Sequence, residues 1–202
     1  MPTILLFRHG ETQWNRAHRI QGQTDAPSPL TLKGCAQAKA YGRALAQSLG
    51  ADIPHWQVMS SPLARCVQTL SLLCDEAGLD FDRIAFDDRL KEVSCGAYSG
   101  KLRTDVEQID SGLFKGKGEN SWYFRCPQGE TLEDLSARLG DWLSGLKSGD
   151  KVIVVTHGVA GKVIRGLYTG EPMAQALAED SPQDAYFMLS HGKISRRSCG
   201  ME

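Results

Sequence analysis

The chain has 202 residues, with 23 lysines and arginines against 24 aspartates and glutamates, a formal charge of −1. Hydrophobic residues make up 41% and charged residues 23%, the balance of a globular protein able to bury a core. Near-neutrality argues against a general nucleic-acid or membrane-surface binder, since either needs a basic excess, and no apolar run approaches the ~18 residues of a membrane span.

Met1-Pro2-Thr3 lacks the basic flank of a signal peptide and Ile4–Phe7 is too short for its apolar core, so a cytoplasmic protein is expected. Ile4–Phe7 instead reads as a strand. Thr31 can cap a helix running through Leu32, Ala36, Ala40, Leu45 and Leu49, ended by Gly50. Gln57–Met59 is a weaker strand. Ser61 and Pro62 have the form of an N-cap and a first helical residue, opening a helix through Val67, Leu70 and Leu73. Ile84–Phe86 is a further strand. Residues 91–128 are less regular and rich in Gly, Ser and Lys, as a rim insertion would be.

Thr131 can cap a helix with Leu132, Leu135, Leu139, Trp142 and Leu146 on its apolar stripe. Val152–Val155 is a second strand without polar alternation, followed after Gly158 by a helix through Val163, Ile164 and Leu167 that stops at Gly170, before Pro172. Ala185–Leu189 is turned by His191-Gly192-Lys193 into Ile194. The alternation predicts a three-layer α/β/α fold, with a mostly parallel central sheet and helices on both faces, formed by residues 1–202 as one domain. The six cysteines, Cys35, Cys66, Cys74, Cys95, Cys126 and Cys199, form no C-x-x-C and have no histidine at ligand spacing, so space-filling thiols and no metal site are expected.

Arg8-His9-Gly10-Glu11-Thr12 directly follows the first strand, where open α/β sheets bind ligands. An exposed Arg-His turn is the plain alternative for this pentapeptide. Val152–Val155 ends the same way, in Thr156-His157-Gly158. If the two strands are parallel neighbours, His9 and His157 lie side by side, with an anion between them. His191-Gly192 also follows an apolar run, but a turn accounts for it. Arg65, in the first turn of the helix after Ser60-Ser61-Pro62, opposes the helix dipole, and an anion bound there removes the conflict. Glu11 has the charge to orient Arg8 or a neighbour, or to serve a helix start.

These motifs fall in a recognisable order. Arg8-His9-Gly10-Glu11-Thr12-Gln13-Trp14-Asn15 resembles the signature of the histidine phosphatase superfamily, the phosphoglycerate mutase-like proteins. Gln21-Gly22, the stretch from Asp25 through Pro29-Leu30-Thr31, Ser60-Ser61-Pro62-Leu63-x-Arg65-x-x-Gln68-Thr69, Leu90-x-Glu92, Gly129-Glu130-Thr131 and Thr156-His157-Gly158 resemble its later motifs. The resemblance implies a phosphoglycerate mutase-like fold and phosphoryl transfer through a phosphohistidine on His9. Arg8, Arg65 and His157 then form the phosphate pocket, Asn15 and Gln21 add hydrogen bonds, backbone near Gly22 and Gly158 contributes, and Glu92 is the proton donor. The implied partner is a small-molecule phosphate ester, with no metal, cofactor, nucleic acid or membrane. A homodimer is compatible with the family.

The chemistry suits these residue types. A neutral imidazole can attack a phosphate dianion that would repel an anionic nucleophile. Arginine forks match phosphate oxygens, and at ~4 Å with an effective dielectric near 20 one contact is worth about 4 kcal/mol before desolvation. A carboxylate can protonate the leaving alkoxide only from its protonated form, which an adjacent dianion favours.

The phosphatase branch is expected over a cofactor-dependent phosphoglycerate mutase. Mutases of the family carry paired arginines in the insertion, whereas this chain has Lys101-Leu102-Arg103, Lys115-Gly116-Lys117 and Arg125-Cys126-Pro127 there, and its Arg196-Arg197 lies near the C-terminus as a solvated end. The turn after Glu92, Val93-Ser94-Cys95-Gly96-Ala97-Tyr98-Ser99-Gly100, also looks like the phosphatase branch. Two further alternatives are a catalytically silent phospho-ligand-binding protein and a metal hydrolase using His9, His157 and carboxylates. Trp122-Tyr123-Phe124 either stack on a substrate ring or cap the core beneath the insertion.

Overall fold

The computed structural model describes residues 1–24, 28–115 and 121–200. Asp25 of the second motif and Lys117 of the insertion lie outside the described residues. Six strands, β1 (Thr3–Arg8), β2 (Gln57–Ser60), β3 (Ala85–Phe86), β4 (Lys151–Thr156), β5 (Ala185–Ser190) and β6 (Lys193–Ser198), form one sheet in the order β3-β2-β4-β1-β5-β6. The first four strands in that order are parallel; β5 is antiparallel to β1, and β6 to β5. The helices are α1 (Gln13–Arg16), α2 (Leu32–Leu49), α3 (Ala64–Ala77), α4 (Arg103–Ile109), α5 (Leu132–Ser144), α6 (Gly158–Thr169) and α7 (Met173–Ala178).

The unbroken apolar runs follow from burial on both faces. Ile4, Leu6, Val152 and Val154 pack with Leu135, Leu139 and Trp142 of α5 and with Val163 and Ile164 of α6. Leu5, Phe7, Ile153 and Val155 point the other way, onto Tyr41 and Leu45 of α2 and Leu70 and Leu73 of α3. The result is the expected three-layer α/β/α arrangement with a mostly parallel sheet. The β5–β6 turn is made by His191 and Gly192, both at positive φ (51° and 70°), as a two-residue hairpin with primed-turn twist requires. Arg196 lies on β6 and pairs with Asp180 at 3.3 Å and Asp184 at 3.4 Å, so it is a strand residue rather than a loose end.

Two local expectations need correction. Leu32 opens α2 after the Thr31 cap, which accepts from Gly34 N–H, but its side chain is 92% exposed and Ala36 is exposed as well. The buried stripe runs through Gly34, Ala38, Tyr41 and Leu45; at about 100° per residue Leu32 lies roughly 140° away from Leu45. Ser61 does not cap α3. That helix starts at Ala64 with Leu63 as its N-cap, because the Ser61 hydroxyl meets Leu63 N–H at 3.3 Å and His157 Nε2 at 2.7 Å. Within 91–128, Cys95, Tyr98, Val106, Leu113, Trp122 and Cys126 bury into the same cluster as residues of α5 and α6. All six cysteines are free thiols and five are buried. Among the described residues, no helix is long and apolar enough to cross a membrane.

The loop after β1 is fixed by backbone contact with α2. A Cβ on Gly10 would sit 2.4 Å from the Gly34 carbonyl oxygen, and one on Gly34 would sit 2.0 Å from that of Glu11. Helix propensity alone makes Gly34→Ala stabilising by ~1 kcal/mol. Because the obstacle is backbone, overpacking should win, and a net loss of about 1–3 kcal/mol is expected in equilibrium urea unfolding. A stabilised variant would refute the close approach.

Candidate active site

Four parallel strands end at one edge of the sheet, and each delivers part of the site. The register sets Arg8 opposite Thr156, and His9 N–H donates to the Thr156 carbonyl at 2.9 Å. Ser60 lies opposite Val155, whose carbonyl accepts from Ser61 N–H. His9, His157 and Ser61 therefore leave the sheet at one level. The Thr156 hydroxyl donates to the Leu90 carbonyl at 2.7 Å and ties down the segment after β3 that carries Glu92.

The His9 and His157 rings lie edge-to-face with centroids 5.3 Å apart, and they are 2% and 1% exposed. His9 Nδ1 donates to the Gly10 carbonyl at 2.8 Å, which leaves Nε2 as the free ring nitrogen. Arg65 Nε donates to His157 Nδ1 at 3.1 Å, so His157 carries its hydrogen on Nε2, which donates to Ser61 Oγ. Burial first, then Arg65 and Arg8, pull His9 well below the ordinary value of 6.5. Burial, Arg65 and His9 do the same to His157. Both rings are neutral near pH 7. The plain alternative of exposed, unrelated histidines is excluded.

Arg65, 4% exposed, also donates from Nη2 to the Gly22 carbonyl at 2.7 Å. Gly22 is at φ 56°, and a Cβ there would come within 2.8 Å of Ser99 Oγ. Arg8 donates from Nη1 to the Ser181 carbonyl at 2.7 Å, while its buried Nε has no partner among the described residues. A Cβ on Gly158 would lie 3.5 Å from that guanidinium and 3.7 Å from Glu92 Oε2, so Arg8, Gly158 and Glu92 share one wall. Asn15 and Gln21 border the same cavity but are partly engaged locally. Asn15 Oδ1 accepts from Thr12 N–H at 3.1 Å, and Gln21 Nε2 donates to the hydroxyls of Thr12 and Ser28. Glu11 does not orient Arg8; it accepts from the Thr31 hydroxyl and pairs with Lys33 at the start of α2.

Glu92 is held rather than solvated. Its Oε1 accepts from Val93 and Ala160 N–H (both 3.0 Å) and its Oε2 from Val159 N–H (3.1 Å), so it caps the N-terminus of α6 from a distant segment. The Val159 and Ala160 amides, which spacing alone would offer to a ligand, are thereby taken. Arg138 supports this segment with all five of its N–H groups. They reach Glu130 at 2.6 and 2.9 Å, and the carbonyls of Arg89, Lys91 and Glu92 at 2.6, 2.8 and 2.9 Å. Glu130 also accepts from Ser94 N–H.

The cavity enclosed by these groups has a volume of about 330 Å³ and is bordered further by His18, Arg19, Arg103, Lys162, Trp122 and Tyr123. Trp122 both packs in the core and faces the cavity, stacked on Tyr123 at 3.9 Å, while Phe124 packs only against the core. Among the described residues, no group of three His, Cys, Asp or Glu side chains is placed to hold a metal ion.

Sequence reading missed several supports. Thr69, inside a quoted motif, accepts from Gly10 N–H and donates to the Arg65 carbonyl, linking the two segments. Gln183 donates to the His9 carbonyl at 2.8 Å, and nothing in its local sequence signals that role. Arg138 lies on an ordinary polar helix face, and only its partners reveal it.

Residues 4–196 match the model of the histidine phosphatase superfamily, branch 1. The chain is 37% identical over 163 residues to a protein of Salmonella arizonae named "Probable phosphoglycerate mutase GpmB", covering 79% of this chain and 71% of that protein. The fold superposes on Bacillus stearothermophilus YhfR with a TM-score of 0.78, at 25% identity over 98% of this chain and 96% of the other. It superposes on the alpha-ribazole phosphatase of Shigella flexneri with a TM-score of 0.76, at 23% identity over 97% and 95%. For a mycobacterial glucosyl-3-phosphoglycerate phosphatase the TM-score is 0.74, at 24% identity over 98% and 97%. The chain belongs to the histidine phosphatase superfamily, and its fold is that of the phosphoglycerate mutase-like proteins.

Two predictions follow from the held geometry. Because His9 and His157 are depressed in the folded state, the unfolded chain binds more protons below its value of 6.5, and stability declines as pH falls through that point. Each ring should cost about 1.4 kcal/mol per pH unit until its folded-state value is reached. Urea midpoints at pH 7.5 and 5.5 should therefore differ less for His157→Gln than for the parent, and an equal difference would contradict a buried neutral ring. Arg138→Lys keeps the charge but loses the planar fork. It should lower unfolding stability by about 3 kcal/mol and speed amide exchange at Val93 and Ser94, whereas unchanged exchange there would show that the fork does not hold this segment.

Proposed function

We propose that the protein is a phosphomonoesterase that hydrolyses a small phosphorylated metabolite through a covalent phosphohistidine on His9, with Glu92 as proton donor. The observation that carries this reading is the orientation of His9. Its Nδ1 is held on the Gly10 carbonyl, its neutral Nε2 is left to react, Arg8 and Arg65 line the same cavity, and the His157 ring packs edge-to-face on His9. In the first step Nε2 bonds to phosphorus as the ester P–O bond breaks, and Glu92 gives its proton to the departing alkoxide. In the second, water attacks phosphorus, its proton passes to Glu92, and the P–N bond breaks to release inorganic phosphate. Arg8 and Arg65 donate to the equatorial oxygens throughout, and His157 joins them by turning its Nε2–H from Ser61 Oγ to the phosphoryl group; loss of one preorganised donor of this kind commonly costs roughly 3–4 kcal/mol of transition-state stabilisation. Asn15, Gln21 and the backbone near Gly22 and Gly158 complete the phosphate-binding wall.

A metal-independent reaction on a small substrate in the cytoplasm, without nucleic acid or membrane and compatible with a homodimer, is part of this proposal. The name of the Salmonella relative keeps a second reading open, phosphoglycerate mutase activity, in which the phosphoryl group returns from His9 to a second hydroxyl instead of to water.

Rapid quenching with labelled substrate should leave acid-labile phosphate on His9, and His9→Ala should remove both label and turnover while chelator leaves turnover intact. Glu92→Gln should slow alkyl phosphates by about a hundredfold or more but aryl phosphates, whose leaving groups need little protonation, far less. Equal slowing of both classes would exclude the donor role. Interconversion of phosphoglycerates primed by a bisphosphate, faster than phosphate release, would move the assignment to the mutase. Phosphate binding without turnover on any ester would leave a silent ligand-binding protein, and loss of activity restored by a divalent metal would leave a metal hydrolase.

A further inference from the structure

We infer that the substrate carries a second acidic group, a carboxylate or a further phosphate, seated on Arg19 and Arg103 beyond the phosphoryl cradle. This rests on the phosphomonoesterase reading and specifies its substrate class. Two segments more than eighty residues apart are joined along one wall of the cavity. Arg19 and Leu102 form an antiparallel bridge, Ile20 N–H donates to Lys101, Gly100 N–H to Ile20 and Arg103 N–H to His18. His18 adopts φ 53°, a left-handed conformation that a non-glycine residue takes at a cost, so the turn presenting this wall is over-determined by its pairing.

The pairing brings two guanidinium groups to the same cavity, and each is braced by a ring. Arg19 lies over Trp14 at 5.6 Å and donates to the Gly100 carbonyl, and Arg103 lies over Phe114 at 4.5 Å. Neither forms an ion pair with a carboxylate among the described residues, and Glu92, already engaged by three amides, is the one carboxylate bordering the cavity among them. In a chain with 23 basic and 24 acidic residues, this one-sign wall is not a consequence of composition. Stacked guanidinium forks lose little freedom on pairing, which suits them to a planar carboxylate or a phosphate. A cavity of about 330 Å³ has room for a metabolite and not merely for its phosphoryl group.

The test compares phosphate release from two matched pairs, glycerol 3-phosphate against 3-phosphoglycerate and fructose 6-phosphate against fructose 1,6-bisphosphate, with 4-nitrophenyl phosphate as a generic ester. In at least one pair the acid-bearing member should be preferred by about tenfold or more in kcat/KM, and the pair that responds identifies carboxylate or phosphate. Arg19→Gln combined with Arg103→Gln, and the exposed Arg103→Gln alone, should shrink that preference, chiefly by raising KM for the acid-bearing member. Equal kcat/KM within both pairs, no turnover of either acid-bearing member, or a preference unchanged in both variants would overturn the inference while hydrolysis of 4-nitrophenyl phosphate leaves the phosphomonoesterase reading standing. No release from any ester, with no label on His9, would remove that reading and this one with it.

Discussion

The parallel register of β1 and β4 is the constraint on which the rest depends. Because Arg8 is held opposite Thr156, the next residue of each strand is a histidine, and the two rings meet at 5.3 Å. A slip of one residue would turn every apolar side chain of β1 to the wrong face, and Ile4, Leu5, Leu6 and Phe7 are each buried against a helix layer. The hydrophobic core therefore fixes the spacing of two polar side chains that take no part in it. The position of β2 on the other side of β4 adds Ser61 and, through the turn into α3, Arg65.

Burying histidines beside arginines has one main electrostatic consequence. Neither ring takes up a second proton at neutral pH in the resting protein, since both are buried and the nearest charges are positive. An imidazole in that state has a lone pair to offer, and its surroundings favour whatever negative charge arrives. The tautomers are set by partners on different segments: the Gly10 carbonyl for His9, and Arg65 with Ser61 for His157.

The opposite wall is built by a different device. Glu92 sits on the amide groups that open α6, and the chain around it is suspended from the five-donor fork of Arg138 and from Glu130. A carboxylate fixed through its neighbours' backbone keeps its place without a cation in direct contact. That leaves Arg8, one Cβ-width away across Gly158, open to the cavity.

Much was legible in the chain because it depends on short-range physics. Continuous apolar runs marked β1 and β4, Thr31 and Thr131 marked helix starts through hydroxyl caps, and Gly170 marked a stop. His9, Arg65 and His157 stood out because polar residues at apolar strand ends and at a helix start have few structural reasons to be there, whereas Glu92 was marked by the family resemblance alone. Other features depended on partners far away in sequence. Ser61 reads as a cap until His157 is placed beside it, and Leu32 reads as apolar stripe until Tyr41 and Leu45 set the phase of α2. Arg138 reads as solvated surface, and Arg19 and Arg103 belong to unrelated segments until an antiparallel bridge joins them. The sequence by itself determined the layers and the strand ends with the polar residues that follow them, since propensity, capping and hydrophobic periodicity act within a few residues. Only the tertiary structure decided which hydrogen bonds each polar group makes, which imidazole nitrogen is free and which cations share a wall, because those outcomes follow from packing between segments that local pattern does not connect.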